Sequence, residues 1–163
     1  MAVVLWKIDE RLVHGQVVAT FAKYLATDEI IVVNDVVAFD EAQINLMELV
    51  VDPAIELGVV TCKELGRIVA EDDFYGKRTM VIFRYLDDVI DCVFNYGVEI
   101  PELNCAGLYT RGDRPDAVRY NQNLVVTEDD KVKFRKLEDH GIKLVYRLSA
   151  QFKETPLSAQ FKY

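Results

Sequence analysis

Short apolar runs recur along this chain at the spacing of a strand–helix–strand repeat, and that alternation limits it to a sheet covered by helices. Val3-Val4-Leu5-Trp6-Lys7-Ile8 reads as a first strand. Gly15 to Leu25 follows, with Val18, Phe21, Ala22 and Leu25 at helical spacing. Glu29-Ile30-Ile31-Val32-Val33-Asn34 has the continuous apolar character of a strand buried on both faces. Asp40 is placed to cap a helix running to about Val50. A strand from Leu57 to Thr61, a helix to about Ala70, a strand from Thr79 to Arg84 and a helix from Leu86 to Tyr96 continue the pattern. Leu103 to Leu108 reads as a strand, and Tyr120 to Val126 as one further extended segment. Thr127 opens a helix that runs to His140, with Gly141 as its stop. Ile142 to Leu148 reads as the last strand, and the weakly amphipathic tail from Phe152 to Tyr163 as a short terminal helix.

The expected class is therefore α/β, with a mainly parallel sheet of about six strands and helices on both faces. Such sheets bind ligands at the C-terminal ends of their strands. That rule directs attention to residues 9–14, 34–37, 84–88 and 109–114. A length of 163 residues favours one domain spanning residues 1–163. No apolar run approaches the roughly 20 residues needed to span a bilayer, and no basic leader with a cleavage site precedes the first strand. A cytosolic protein is expected. Cys62, Cys92 and Cys105 are scattered among apolar neighbours, without zinc spacing, and read as buried reduced thiols. With only two separated histidines, no metal site is expected. No glycine-rich nucleotide fingerprint is present, and no cofactor is expected.

A net charge of −8 argues against nucleic-acid binding. The charge is uneven. Residues 1–108 carry 8 basic against 19 acidic side chains, and residues 109–163 carry 11 against 8. An anion site gains from that basic last third, although the run from Lys131 to Lys136 reads mainly as a solvated helix face.

The most informative stretch runs from the end of the first strand into the first helix: Lys7-Ile8-Asp9-Glu10-Arg11-Leu12-Val13-His14-Gly15-Gln16-Val17. His14 falls at or just before a helix N-terminus, where free N–H groups and the helix dipole welcome an anion. Gly15 removes the Cβ that would hold a phosphate away from the backbone. Arg11 supplies a planar fork of donors suited to phosphate oxygens. Imidazole is nucleophilic when neutral, and an unperturbed pKa of about 6.5 keeps much of it neutral near pH 7. Attack by one ring nitrogen requires the other to hold the proton. Asp9 or a backbone carbonyl can fix that tautomer.

The run from Ile8 to Val17 resembles the active-site signature of enzyme IIB in the mannose–fructose–sorbose class of the phosphotransferase system, over ten contiguous positions. Weaker likeness continues through Ile31-Val32-Val33-Asn34-Asp35-Val36-Val37-Ala38, through Ala106-Gly107-Leu108-Tyr109 and through the helix–strand turn from Leu137 to Leu144. The resemblance implies a three-layer α/β/α fold. It implies that His14 is the phosphorylated histidine, modified on Nδ1. It also implies that enzyme IIA is the donor, and that a sugar moved by membrane subunits IIC and IID is the acceptor. The activity would be that of a protein-phosphohistidine–sugar phosphotransferase, at the membrane periphery. Arg11 would stabilise the phosphate, and Asp9 would orient the ring. Lys7, Gly15, Gln16 and Asp35 are further phosphate or partner contacts on this reading. Arg111 and Arg114, in a loop that departs from the family pattern, are second-loop candidates expected beside the His14 loop. Lys7 stands where the family usually has Arg, and Phe21 where many members have Trp. The resemblance leaves both the sugar and a homo-oligomer open.

Two other readings share the architecture. A receiver-like domain would use Asp9 and Glu10 as its acidic pair, but the end of the third strand, Val59-Val60-Thr61-Cys62-Lys63, lacks an acceptor Asp. A non-catalytic regulatory module fits poorly with an intact His14, Arg11 and Gly15. His140, before Gly141, reads as a helix-terminal residue.

Overall fold

The computed structural model describes residues 3–109 and 113–163. Its elements are β1 (Val3–Ile8), α1 (Gly15–Tyr24), β2 (Glu29–Val33), α2 (Glu41–Val50), β3 (Glu56–Val60), α3 (Cys62–Ala70), β4 (Thr79–Phe83), α4 (Leu86–Tyr96), β5 (Glu102–Asn104), β6 (Val118–Asn121), β7 (Leu124–Val126), α5 (Glu128–Asp139), β8 (Lys143–Tyr146) and β9 (Thr155–Pro156). The starts read from sequence at Asp40 and Thr127 are capped by those side chains, and Thr61, read as a strand end, caps α3. Asp40 accepts from the N–H of Gln43, Thr61 from that of Glu64, and Thr127 from that of Asp130. Among the described residues, no helix is long and apolar enough to cross a membrane.

The main sheet has the order β3-β2-β4-β1-β5-β8-β9. Six strands are parallel, and the short β9 pairs antiparallel with β8 at one edge. Two apolar clusters fill the two sides. On one, Val18 and Phe21 of α1 and Met47 of α2 pack on Ile30, Val32, Met80 and Ile82. On the other, Leu65 of α3, Leu86 and Val89 of α4, and Phe134 and Leu137 of α5 pack on Trp6, Ile8, Val81 and Phe83. The result is a mainly parallel α/β sheet flanked by helices, as the alternation requires.

The order also locates the crevice. β1 lies between β4 and β5. The chain leaves β1 through α1 on one face toward β2, and leaves β4 through α4 on the opposite face toward β5. These diverging exits open a topological switch point above the ends of β1 and β4.

Three expected elements are different. The strand from Leu103 to Leu108 stops at Asn104. Beyond it the Ala106 carbonyl accepts from the Lys7 ammonium, and the N–H groups of Gly107 and Leu108 donate to Asn123 O, so the backbone has left the ladder. The segment from Tyr120 to Val126 is not one strand. It is the end of the first arm, the turn and the second arm of the β6/β7 hairpin, closed where Asn121 accepts from the N–H of Asn123 at 2.8 Å. The terminal helix is absent. Pro156, which lacks an N–H, sits where β9 gives way to a single 3-10 turn, Leu157–Ala159. Cys62, Cys92 and Cys105 are buried free thiols.

Candidate functional site

The loop between β1 and α1 is built around Asp9. The last ladder bond of β1 runs from Asp9 N to Phe83 O at 2.9 Å. The Asp9 side chain then accepts from Arg11 N at 3.1 Å, and Leu12 N donates to Asp9 O at 2.9 Å, which closes a tight turn. Leu12 has a φ of +61°, a conformation that costs a branched side chain about 1–3 kcal/mol. Burial of Leu12 and Val13 in the cluster under α1 offsets this strain. Gly15, the first residue of α1, has a φ of +47°. Between these two left-handed residues His14 is extended, and its ring makes no cap bond to the helix it precedes. The ring is left available for other chemistry.

That ring meets a buried carboxylate. Nε2 of His14 lies 3.1 Å from Oδ2 of Asp9, which is fully buried, while the His14 side chain stays 24% exposed. The Lys7 ammonium, also buried, stands 3.2 Å from the same Asp9 oxygen and donates to the Ile8 and Ala106 carbonyls. Burial alone would raise the Asp9 pKa, but the hydrogen bond from His14 and the charge of Lys7 outweigh it and hold the carboxyl below its ordinary range. Burial also lowers the Lys7 pKa, against the opposing charge of Asp9. An ionised carboxylate only accepts, so Nε2 of His14 must carry the hydrogen. In the neutral ring the lone pair is then at Nδ1.

A second loop braces the first from the β5 side. Glu10 N donates to Gly107 O at 3.0 Å, and Tyr109 N donates to Oε2 of Glu10 at 2.7 Å. Gly107 is required here by contact. A Cβ on it would lie 2.3 Å from the Ile8 carbonyl oxygen and 2.8 Å from Asp9 Cα. Arg11 stacks over the Tyr109 ring at 4.2 Å and donates to its hydroxyl at 2.7 Å. Its Nε is 3.9 Å from Asp9, and the side chain is 48% exposed. Burial, followed by the charge of Asp9, pushes the Tyr109 hydroxyl up to about 12, so it remains a donor at neutral pH.

The structure thus brings together Asp9, Arg11, His14 and Gly15. Lys7 lies beneath Asp9 with its amine sealed from solvent, not on the surface where it could meet a phosphate or partner directly. Asp35 is engaged elsewhere: its carboxylate accepts from Cys62 N at 2.8 Å, at the start of α3. Gln16 lies in the first turn of α1, and its side chain is outside the described residues, as is all of Arg111. Arg114 pairs with Asp116 at 3.5 Å in the turn before β6. Of that second loop, Tyr109 at its start reaches Arg11. Sequence reasoning passed over Glu10, Gly107 and Tyr109 as site residues. Their signal was the small-residue pair Ala106-Gly107 two positions before a tyrosine, at a strand end facing the acidic residue that follows Asp9.

The family model described as PTS system sorbose subfamily IIB component matches residues 3–163. The fructose-specific EIIB component of Bacillus subtilis is 30% identical over 147 residues, which is 90% of this chain and 88% of that protein. The mannose-specific EIIAB component of Escherichia coli K12 is 33% identical over 147 residues. The match covers 90% of this chain but only 44% of that longer relative. Among solved structures, the IIBSor domain of the sorbose permease from Klebsiella pneumoniae superposes with a TM-score of 0.85 at 27% identity, covering 98% of this chain and 96% of that one. The fold, the signature loop and these relatives agree: the chain belongs to the sorbose-subfamily IIB components of the sugar phosphotransferase system.

Proposed function

We propose that this protein is a phosphocarrier that takes a phosphoryl group on Nδ1 of His14 from a phosphohistidine of enzyme IIA and passes it to a sugar. The observation that carries this reading is the 3.1 Å contact between Asp9 and Nε2 of His14, which leaves the lone pair at Nδ1. In the first step that lone pair attacks phosphorus while the P–N bond to the donor imidazole breaks, and its electron pair returns to the donor. No proton needs to move. The donor leaves as a neutral imidazole, and His14 becomes a phosphoimidazolium whose positive ring faces the Asp9 carboxylate. In the second step a sugar hydroxyl oxygen attacks phosphorus, its proton is released, and the P–N electron pair returns to Nδ1. Arg11 and the N-terminus of α1 stabilise the phosphoryl oxygens.

The fusion named in the mannose-specific EIIAB relative supports IIA as the donor. Membrane subunits IIC and IID carrying the sugar are the expected acceptors, with this chain at the cytoplasmic face of the membrane. Relatives named for fructose, mannose, sorbose and N-acetylgalactosamine leave the sugar open. The test is phosphopeptide mapping after incubation with phospho-IIA. Label at His14, stable to alkali and labile to acid, supports the reading. Label on another residue, or a His14→Ala protein that is labelled normally, would overturn it.

A further inference from the structure

Arg84 follows directly on β4, and three placements set it at the strand ends from which the His14 loop leaves. The first is the ladder. Ile8 pairs with Phe83, and Phe83 O accepts from Asp9 N, so Arg84 is the next residue beside Asp9. The second is the face. Met80 and Ile82 of β4 pack under α1 and α2, while Val81 and Phe83 pack on the other side. Strand alternation places Arg84 with Met80 and Ile82, on the face from which His14 rises. The third is the crossover. α1 carries the chain from β1 over β4 to β2, so its N-terminus overlies the ends of β1 and β4.

The chemistry of Arg84 is also unspent. Its guanidinium stacks over the Tyr85 ring at 5.1 Å. Its Nε is closed off from solvent and has no hydrogen-bond partner. Among the described residues it makes no ion pair. Its charge is felt by Asp40, whose pKa is lowered first by the Gln43 N–H and only last by Arg84. A buried donor without an acceptor costs about 1–3 kcal/mol, and an arriving anion would supply the acceptor.

We propose that Arg84 is a second guanidinium of the phosphoryl site, binding phosphoryl oxygens from the β4 side while Arg11 binds them from the β5 side. This rests on the assignment of His14 as the phosphoacceptor. The two arginines then flank the β1 loop, Arg11 already held by Tyr109 and, at 3.9 Å, by Asp9, and Arg84 without an ion-pair partner among the described residues.

The experiment uses phosphoramidate as a small phosphoryl donor, with the wild-type chain, Arg84→Gln, Arg84→Lys and His14→Ala. Wild type is expected to take phosphate at His14, Arg84→Gln to do so about tenfold to a hundredfold more slowly, and Arg84→Lys to recover part of the loss. Phosphorus NMR adds a readout that a structural role would not move. The phosphoryl titration midpoint of Arg84→Gln is expected above that of wild type, because a nearby cation favours the dianion. In wild type, the Arg84 Nε–H resonance is expected to shift downfield on phosphorylation, which tests the contact even if Arg84→Gln folds poorly. Wild-type rates and midpoint in Arg84→Gln, or an unmoved Nε–H resonance, overturn the proposal for Arg84 alone. Phosphate absent from His14 in wild type overturns the underlying reading instead.

Discussion

Asp9 holds Nε2 of His14 at 3.1 Å while the buried Lys7 ammonium holds the same carboxylate oxygen at 3.2 Å. The three groups form a line from the core to the surface: cation, anion, imidazole. Lys7 neutralises Asp9 in the interior, and Asp9 in turn sets the tautomer of the ring and faces the positive charge that phosphorylation would place on it. Asp9→Asn should slow phosphorylation of His14 by about a hundredfold or more, because an amide neither fixes the tautomer nor balances the imidazolium. Nitrogen NMR of the His14 ring should show a mixture of tautomers in that variant. A ring still protonated only at Nε2 would assign tautomer control to another group.

The same line makes a stability prediction. Removing one member of a buried ion pair leaves the other uncompensated, at a cost of about 3–5 kcal/mol. Lys7→Met and Asp9→Asn should each destabilise the fold by about that amount. The double variant should recover much of the loss in denaturant midpoint but none of the transfer rate. Additive losses in the double variant would show that the two residues do not act as a pair.

Arg11 and Tyr109 separate charge from orientation. Arg11→Ala should lower the transfer rate by about two to three decades with little change in melting temperature, and Arg11→Lys should restore only part of the rate. Tyr109→Phe keeps the stacked ring but loses the hydroxyl that accepts from Arg11 at 2.7 Å. Its loss should be smaller, about 1 kcal/mol or fivefold. Equal losses in Tyr109→Phe and Arg11→Ala, read in one single-turnover assay, would mean that the hydroxyl rather than the guanidinium meets the phosphate.

Gly107 tests the brace between the two loops. Any side chain there strikes the backbone of Ile8 and Asp9. Gly107→Ala should destabilise the protein by about 1–3 kcal/mol through overpacking and should displace the Asp9 turn. Denaturant titration and the His14 resonances report the two effects. A variant with wild-type stability and spectra would show that the loops adjust freely.

The pH dependence of stability has two opposed parts. Asp9 has its pKa lowered, so its contribution is present above the ordinary carboxylate value of 3.8 and is lost as pH falls through its lower folded value. Asp88 is shifted the other way, pushed up to about 6 mainly by burial at the start of α4. Its contribution is present below 3.8 and is lost as pH rises through about 6. The wild-type melting temperature should therefore carry a falling component between about pH 4 and 6, which Asp88→Asn should flatten. A variant that keeps the wild-type slope would assign that component to other groups.

Much of the architecture was legible because its causes are local. Strand β1 and helix α4 appear with the bounds read from apolar spacing, and Asp40 caps α2 by its own side chain three residues on. The three misread segments were each decided by what their backbone meets, not by their own apolar pattern. The strand after Leu103 is cut short by a lysine 99 positions away, the stretch from Tyr120 is folded against its own neighbour as a hairpin, and the tail is claimed by the free edge of β8. Tertiary pairing decided each of these against the local pattern.

The candidate site divides along the same line. The sequence by itself determined the span from Asp9 to Gly15: a carboxylate, a guanidinium, an imidazole and a glycine within seven residues, close enough that chain connectivity alone keeps them together. What surrounds that span was decided by strand order. Because β1 lies between β4 and β5, residues distant in sequence converge on its end: Arg84 from one side, Gly107 and Tyr109 from the other. Glu10 finds the Tyr109 backbone 99 positions away, and Lys7 turns inward to Asp9 instead of outward to solvent. Contacts of that separation follow from which strands pair and which faces their crossovers cover, and a linear pattern of residue types carries neither directly.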